Sequence, residues 1–236
     1  MRYWLVMPAA GAGRRFGAAL PKQYAALAGR TVIEWALDPF LRDPRCLACA
    51  VAIAADDTHW STVAARLGSA VRIAQGGAER GDSVRNALQM LARDAVAEDW
   101  VLVHDAARPC LDERDRDRLL RELENHPTGG LLAAPCTDTM KRADESQCVA
   151  VTVPRDAMWR ALTPQMFRFG ALRAALESAR AEGRHPTDEA QALEWCGERP
   201  RLVAGDASNL KVTTADDLAL AETVLGRRGT VRRATV

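Results

Sequence analysis

Apolar runs of strand length alternate with helical patterns along the 236-residue chain. Residues 3–8 (YWLVMP) predict a strand that stops at a glycine loop. Residues 31–42 place Val32, Trp35, Ala36 and Phe40 near one face, as in an amphipathic helix that Pro39 should kink or shorten. Further strands are predicted at 47–54, 70–74, 100–104 and 130–135. A helix should begin after Asp56, another should cover 82–96 with Asp82 or Ser83 as its cap, and a charged one 112–125. Beyond residue 155 the pattern gives helices at 168–182, 187–196 and 214–225, with a strand near 200–204. The last segment, GRRGTVRRATV, reads as a loose basic tail.

These strands are apolar almost throughout instead of alternating. That pattern suits burial on both faces, hence a mostly parallel sheet covered by helices. Ligands of such sheets gather outside the carboxyl ends of the strands. There the sequence reads AAGAGRR, QGGAERGDS and HDAARP, with glycine and charge in each. Residues 138–155 break the rhythm, with two short strands around a polar turn at 143–146. They predict a projecting hairpin, and a lone hairpin is marginal in water, so a partner subunit is its natural support.

Composition narrows the function. Hydrophobic residues make up 48% and charged residues 27%, values of an ordinary folded chain with a buried core. The formal net charge of +1 provides no basic field for nucleic acid or an anionic membrane. A phosphate ligand must therefore be held by local cations. No apolar run approaches a membrane span, and the N-terminal one is too short for a signal peptide, so a cytoplasmic protein is expected. Six cysteines include one close pair, Cys46 and Cys49, without the second pair or histidine cluster that zinc needs. They read as small apolar side chains.

The loop with Gly11, Gly13 and Gly17 lets backbone N–H groups approach phosphates. It lacks the Gly-Lys-Ser/Thr ending of a Walker loop. It also has Phe16 where a dinucleotide fingerprint needs its third glycine. Instead it carries Arg14, Arg15 and, after a spacer, Lys22, which are either solvated loop charges or cations for a triphosphate undergoing attack. Gly76-Gly77 and Ser83 offer a turn and a hydroxyl that suit a base edge, a helix cap, or both. Asp105, at the end of a strand, suits Mg²⁺ on phosphates, since Mg²⁺ takes one or two carboxylates, or a salt bridge to Arg108.

The segments PAAGAGRRFG, PKQY, GGAER-x-DSV, HDAARP, DTMKR, ALTPQ-F, TDEA and NLKVT occur in that order from residue 5 to about 225. With them the chain resembles the 2-C-methyl-D-erythritol 4-phosphate cytidylyltransferase family of non-mevalonate isoprenoid biosynthesis. The resemblance implies one three-layer α/β/α Rossmann-like nucleotidyltransferase domain over residues 1–236. Its β-arm, 137–155, would interlock with that of a partner in a homodimer. It implies CMP transfer from CTP to 2-C-methyl-D-erythritol 4-phosphate, with Mg²⁺ and release of pyrophosphate. Ala9, Ala10, Gly11, Gly77 and Ser83 would hold cytosine and ribose, and Asp105 and Ala106 the ribose or Mg²⁺ region. Arg15 and Lys22 would stabilise the transition state. Arg155, Thr139 and Lys141 would serve the sugar-phosphate site, Thr163, Thr187 and Asp188 the acceptor pocket or its support, and Lys211 the acceptor phosphate. The family often has Asp where this chain has Ala78, so a side-chain contact there is lost. An acceptor phosphate is already anionic near neutral pH, so no histidine base is needed. A different acceptor, such as ribitol 5-phosphate, keeps the chemistry. A silent nucleotide-binding subunit would not need Arg15, Lys22, Asp105 and Lys211 together.

Overall fold

The computed structural model describes residues 1–11, 20–67 and 71–234. Its centre is a seven-stranded sheet in the order β11-β7-β10-β6-β1-β4-β5. The strands are β1 (Tyr3–Pro8), β4 (Cys46–Ile53), β5 (Val71–Gln75), β6 (Trp100–Val103), β7 (Gly129–Pro135), β10 (Trp159–Arg168) and β11 (Arg201–Ala204). Pairing is parallel except along β10, which runs antiparallel to both β6 and β7. Two small hairpins stand apart, β2 (Ala26–Leu27) with β3 (Arg30–Thr31), and β8 (Met140–Ala143) with β9 (Val149–Val153).

The run in β1 explains the three layers. Successive side chains of a strand point to opposite faces. Tyr3, Leu5 and Met7 join Ile33, Leu37 and Phe40 of α1 (Val32–Leu41) and Leu119, Leu120 and Leu123 of α4 (Glu113–Leu123). The helix α2 (Trp60–Leu67) contributes Trp60 and Val63 to that face. Trp4 and Val6 join Val84, Leu88 and Leu91 of α3 (Arg80–Leu91) on the other, together with Phe169, Leu172 and Leu176 of α5 (Phe169–Ala181) and Ala190 and Leu193 of α6 (Glu189–Trp195). The apolar runs thus serve two cores at once, giving the expected α/β/α fold.

The structure adds or shifts several elements relative to the sequence reading, the β2–β3 hairpin among them. The whole of β10 was unexpected, because Pro164 lies within it and has no N–H for a ladder. The structure places that proline in an irregularity of the β10–β7 register between Ala161 and Gln165. The helix α3 starts at Arg80, capped by Glu79, with Asp82 completing a capping box as its third residue, and ends at Leu91. The helix α1 keeps close to its expected span of 31–42, running two residues past Pro39 instead of stopping at it. The helix α7 (Ala215–Ala234) extends through most of the tail that was expected to be loose. Among the described residues no helix is long and apolar enough to cross a membrane.

Candidate active site

From β1 the chain crosses to β4 and β5 on one side, and β6 lies on the other side of β1. The crevice between β1 and β6 is therefore a topological switch point, where α/β sheets bind ligands. A cleft opens there, lined by Pro8, Ala9, Gly11, Lys22, Gln23, Arg80, Asp105, Ala106, Ala107 and Lys211. Of the residues assigned from sequence, Ala9, Gly11, Lys22, Asp105, Ala106 and Lys211 meet in this one lining. Arg15 lies outside the described residues.

One wall is backbone. The Ala9 N–H donates to the Ala52 carbonyl at 2.8 Å, and the Gln23 amide donates to the Ala9 carbonyl at 2.7 Å. The second glycine turn is held against this wall by absence of side chain. A Cβ on Gly76 would stand 2.2 Å from the Cβ of Ala10 and 3.0 Å from the Ile53 carbonyl oxygen. Ser83 ties the turn to α3, accepting from the Gly77 N–H at 3.1 Å and donating to the Glu79 carbonyl at 3.3 Å. Its buried hydroxyl therefore shapes the turn from behind.

The charge centre of the cleft is Asp105. Its Oδ1 accepts from Arg80 at 3.0 Å, its Oδ2 lies 2.8 Å from the Lys211 ammonium, and Arg108 stands 3.6 Å away. Burial alone would raise its pKa, but Arg80, Lys211 and Arg108 overcome that and hold the carboxyl well below the usual range. Arg80 also grips the fully buried Glu189 with a two-pronged pair at 2.5 and 3.1 Å. Burial pushes the Glu189 carboxyl up, and Arg80 opposes it.

A buried chain of hydrogen bonds fixes Asp105 from below. Its N–H donates to Thr163 Oγ1 at 3.1 Å. The ring of His104 lies 3.1 Å from the Arg108 carbonyl through Nε2 and 2.9 Å from Thr163 Oγ1 through Nδ1. A carbonyl only accepts, so Nε2 carries the hydrogen and neutral Nδ1 accepts from the Thr163 hydroxyl. Burial pushes the His104 pKa down to about 4, so the ring is neutral at pH 7. Asn209 donates to the Thr163 carbonyl at 2.7 Å, and Arg108 donates to the Asn209 carbonyl at 2.7 Å. The loop that carries Lys211 is thereby pinned to β10.

The remaining assigned residues stand elsewhere. Thr163 is 4% exposed with its hydroxyl engaged on both sides, so it supports the Asp105 loop. Asp188 caps α6 through the Gln191 N–H at 2.9 Å and accepts from Gln165 at 2.9 Å. Thr187 is exposed beside it, its N–H donating to Gln191 Oε1 at 2.8 Å. Thr139, Lys141 and Arg155 are exposed on or beside the β8–β9 hairpin, outside the lining of the cleft. Lys141 donates to Thr152 at 2.6 Å, and Arg155 donates to the Thr137 carbonyl. Four residues went unassigned in the sequence, namely Gln23, Arg80, Asn209 and Glu189. Each lies inside a quoted segment, so the signal was present as adjacency but not as chemistry.

A sequence model of 2-C-methyl-D-erythritol 4-phosphate cytidylyltransferase matches residues 3–227. The enzyme of that name from Ectopseudomonas mendocina (strain ymp) is 53% identical over 219 residues, covering 92% of this chain and 93% of its own length. That from Halorhodospira halophila (strain DSM 244 / SL1) is 52% identical over 228 residues, covering 95% and 94%. The crystal structure of the Francisella tularensis 2-C-methyl-D-erythritol 4-phosphate cytidylyltransferase superposes with a TM-score of 0.83 at 33% identity, over 95% of this chain and 100% of that one. The chain belongs to the 2-C-methyl-D-erythritol 4-phosphate cytidylyltransferase family, enzymes of the nucleotidyltransferase class.

Proposed function

We propose that this chain transfers CMP from CTP to 2-C-methyl-D-erythritol 4-phosphate, giving 4-diphosphocytidyl-2-C-methyl-D-erythritol and pyrophosphate in isoprenoid biosynthesis. The observation that carries the reading is the cleft at the switch point. It puts Lys22 and the Pro8–Gly11 wall in one lining with an ionised carboxylate that Lys211 and Arg80 grip.

An oxygen of the acceptor's phosphate attacks the α-phosphorus of CTP. A new P–O bond forms as the bond from the α-phosphorus to the β-bridging oxygen breaks, and pyrophosphate leaves with that electron pair. The attacking oxygen is already an anion, so no proton has to be removed. His104 agrees with this, being buried, neutral and hydrogen-bonded at both nitrogens. What the protein must supply is position and charge. Lys22 and Arg15 offset charge at the α-phosphate and Lys211 holds the acceptor phosphate. Ala9, Ala10, Gly11, Gly77 and Ala106 bound the nucleoside, with Ser83 holding the turn.

Among the described residues Asp105 is the one carboxylate lining the cleft, and its neighbours keep it ionised. A single hard oxygen donor of this kind suits Mg²⁺, which keeps most of its shell as water and phosphate oxygens. Asp105 would hold the ion, which when bound neutralises charge on the triphosphate.

Composition adds support. Only three of the 32 basic residues are lysines, Lys22, Lys141 and Lys211. Lysine is a mobile point charge where arginine is a planar fork. Two of the three line the cleft, and the third is on the arm. The arm also exposes Met140, Val149 and Val151, with Val149 65% exposed. Such a face on a two-stranded hairpin calls for a partner. In the proposed homodimer, the arm carries Thr139, Lys141 and Arg155 toward the partner's cleft, and Thr187 and Asp188 flank or support the acceptor pocket. A single domain over 1–236 and a cytoplasmic location complete the reading.

Incubation with CTP, Mg²⁺ and 2-C-methyl-D-erythritol 4-phosphate should release pyrophosphate, with ribitol 5-phosphate as a parallel acceptor. Release with ribitol 5-phosphate alone would reassign the acceptor. Release with neither would refute the transfer. Sedimentation of the wild type as a monomer at micromolar concentration would remove the arm's proposed role.

A further inference from the structure

A small third core lies apart from the two that flank the sheet. Ala221 of α7 belongs to it together with Val212, which follows Lys211, Cys110, from the loop after Asp105, and Ala25 and Leu27, which follow Lys22. One helix thus shares a core with the segments next to three charged residues of the cleft lining. The C-terminal half of that helix runs through the basic segment GRRGTVRRATV, to which the transfer chemistry gives no role.

Arg228, in this basic segment, is the polar part of the contact. Its guanidinium donates to the Cys110 carbonyl at 2.8 Å through one terminal nitrogen and to Ser208 Oγ at 3.1 Å through the other, while Nε stands 3.6 Å from Asp112 Oδ2. Cys110 and Asp112 lie on the loop that follows Asp105, and Ser208 on the loop that carries Lys211. A rigid planar fork suits such a bridge, because its donors diverge in fixed directions. The same two loops meet again where the Val212 N–H donates to the Ala107 carbonyl at 2.8 Å.

The loops differ in what else holds them. Asp105 is fixed through its N–H on Thr163 and through Arg80. On the Lys211 loop, Asn209 donates to the Thr163 carbonyl and accepts from Arg108 at its own carbonyl, both on the buried side. Arg228 takes the neighbouring Ser208 from α7, so the stretch leading to Lys211 is gripped from two directions.

We propose that Arg228 is a positioning residue for the transfer reaction, clamping the 206–212 loop to the 106–112 loop so that the Lys211 ammonium keeps its place in the cleft. The inference rests on the reading of Lys211 as the holder of the acceptor phosphate. Exchange measurements without substrate test the clamp apart from that reading.

The experiment compares Arg228→Gln in the full chain with Arg227→Gln, a control at the exposed neighbouring position. In hydrogen–deuterium exchange, Arg228→Gln should speed the 206–212 amides about tenfold, the fold-change for losing one hydrogen bond from a charged donor, and leave the β4 amides unchanged. Arg227→Gln should match the wild type in both. In turnover, Arg228→Gln should raise KM for 2-C-methyl-D-erythritol 4-phosphate about tenfold and leave KM for CTP within twofold, because the Pro8–Gly11 wall hangs on Ala52 and Gln23 instead. In a Lys211→Ala background the same change should cost less than about threefold, the mark of residues acting in series. Exchange at 206–212 within twofold of wild type, an equal rise in both KM values, or an undiminished loss beside Lys211→Ala would each overturn the proposal. If Arg228→Gln does not fold, Ser208→Ala removes one acceptor of the fork and should give the same pattern at about threefold. Unchanged exchange at 206–212 in that variant overturns the proposal alone. A wild type silent in turnover whose variants still obey the exchange pattern would sink the proposed function and leave the clamp standing.

Discussion

Replacing Thr163 by valine removes one oxygen and almost no volume, yet it should unsettle the site from beneath. Thr163 Oγ1 accepts from the Asp105 N–H at 3.1 Å and donates to His104 Nδ1 at 2.9 Å. Both partners are buried, Asp105 at 7% and His104 at 0% exposure. Valine leaves a donor and an acceptor unpaired away from water, at about 1–3 kcal/mol each, for a total of about 2–6 kcal/mol. In a chain of this size each kcal/mol lowers Tm by about 2–4 °C, so a fall of about 4–24 °C is expected. Thr163→Ser keeps the oxygen and loses a methyl group, at about 1 kcal/mol. Urea unfolding at pH 7.5 with thermal melts measures the series. Turnover at saturating CTP reports the consequence, since a displaced Asp105 loop should lower kcat. A valine variant within about 1 kcal/mol of wild type, combined with a raised KM for the acceptor, would refute the supporting role and make Thr163 a direct substrate contact.

Three other outcomes follow from the same geometry. Folding holds the His104 pKa near 4 from an ordinary 6.5, so the unfolded chain binds the extra proton first, and stability present above pH 6.5 is lost as pH falls toward 4, by about 3 kcal/mol. Urea titrations from pH 7.5 to 4 should show this loss, and His104→Gln should flatten it. Gly76→Ala should force the second turn away from Ala10, because the new Cβ would lie 2.2 Å from the Ala10 Cβ, costing about 1–3 kcal/mol and raising the KM for CTP in a pyrophosphate-release assay. Arg15→Ala and Lys22→Ala should each lower kcat by about 10²–10³-fold with little change in Tm, and unchanged turnover would remove their proposed transition-state role.

Much of this was legible because strand burial writes itself into composition. A strand covered on both faces must be apolar at every position, so β1, β4 and β6 stood out as runs, and their order implied the parallel sheet. The strand β10 was invisible for the opposite reason. Pro164 lacks the ladder N–H, and the register irregularity that accommodates it exists only once β7 is beside it. The start of α3 was misplaced because Asp82 does take part in the cap, but as the third helical residue answering Glu79. Sequence shows a capping residue's type more readily than its position in the box.

The site divided along a similar line. Residues that line the cleft, such as Lys22, Asp105 and Lys211, could be read from charge beside glycine at strand ends. Arg80 and Glu189 could not, because they are 109 residues apart and each taken alone looks like an ordinary helix-start charge. For Thr163 and Asp188 the motifs left open the acceptor pocket or its support, and their hydrogen bonds to the Asp105 loop and to α6 fit support. Burying an ion pair is justified only when its geometry is excellent and its remaining groups are satisfied. The Arg80 fork meets that condition at both ends. Its cost in sequence terms is that both partners had to be placed where only the folded sheet brings them together. The opening strand supplies the Pro8–Gly11 wall of the crevice, but the cations on Asp105 come from α3 and from the loop before α7, so its charge is set by segments far apart in the chain.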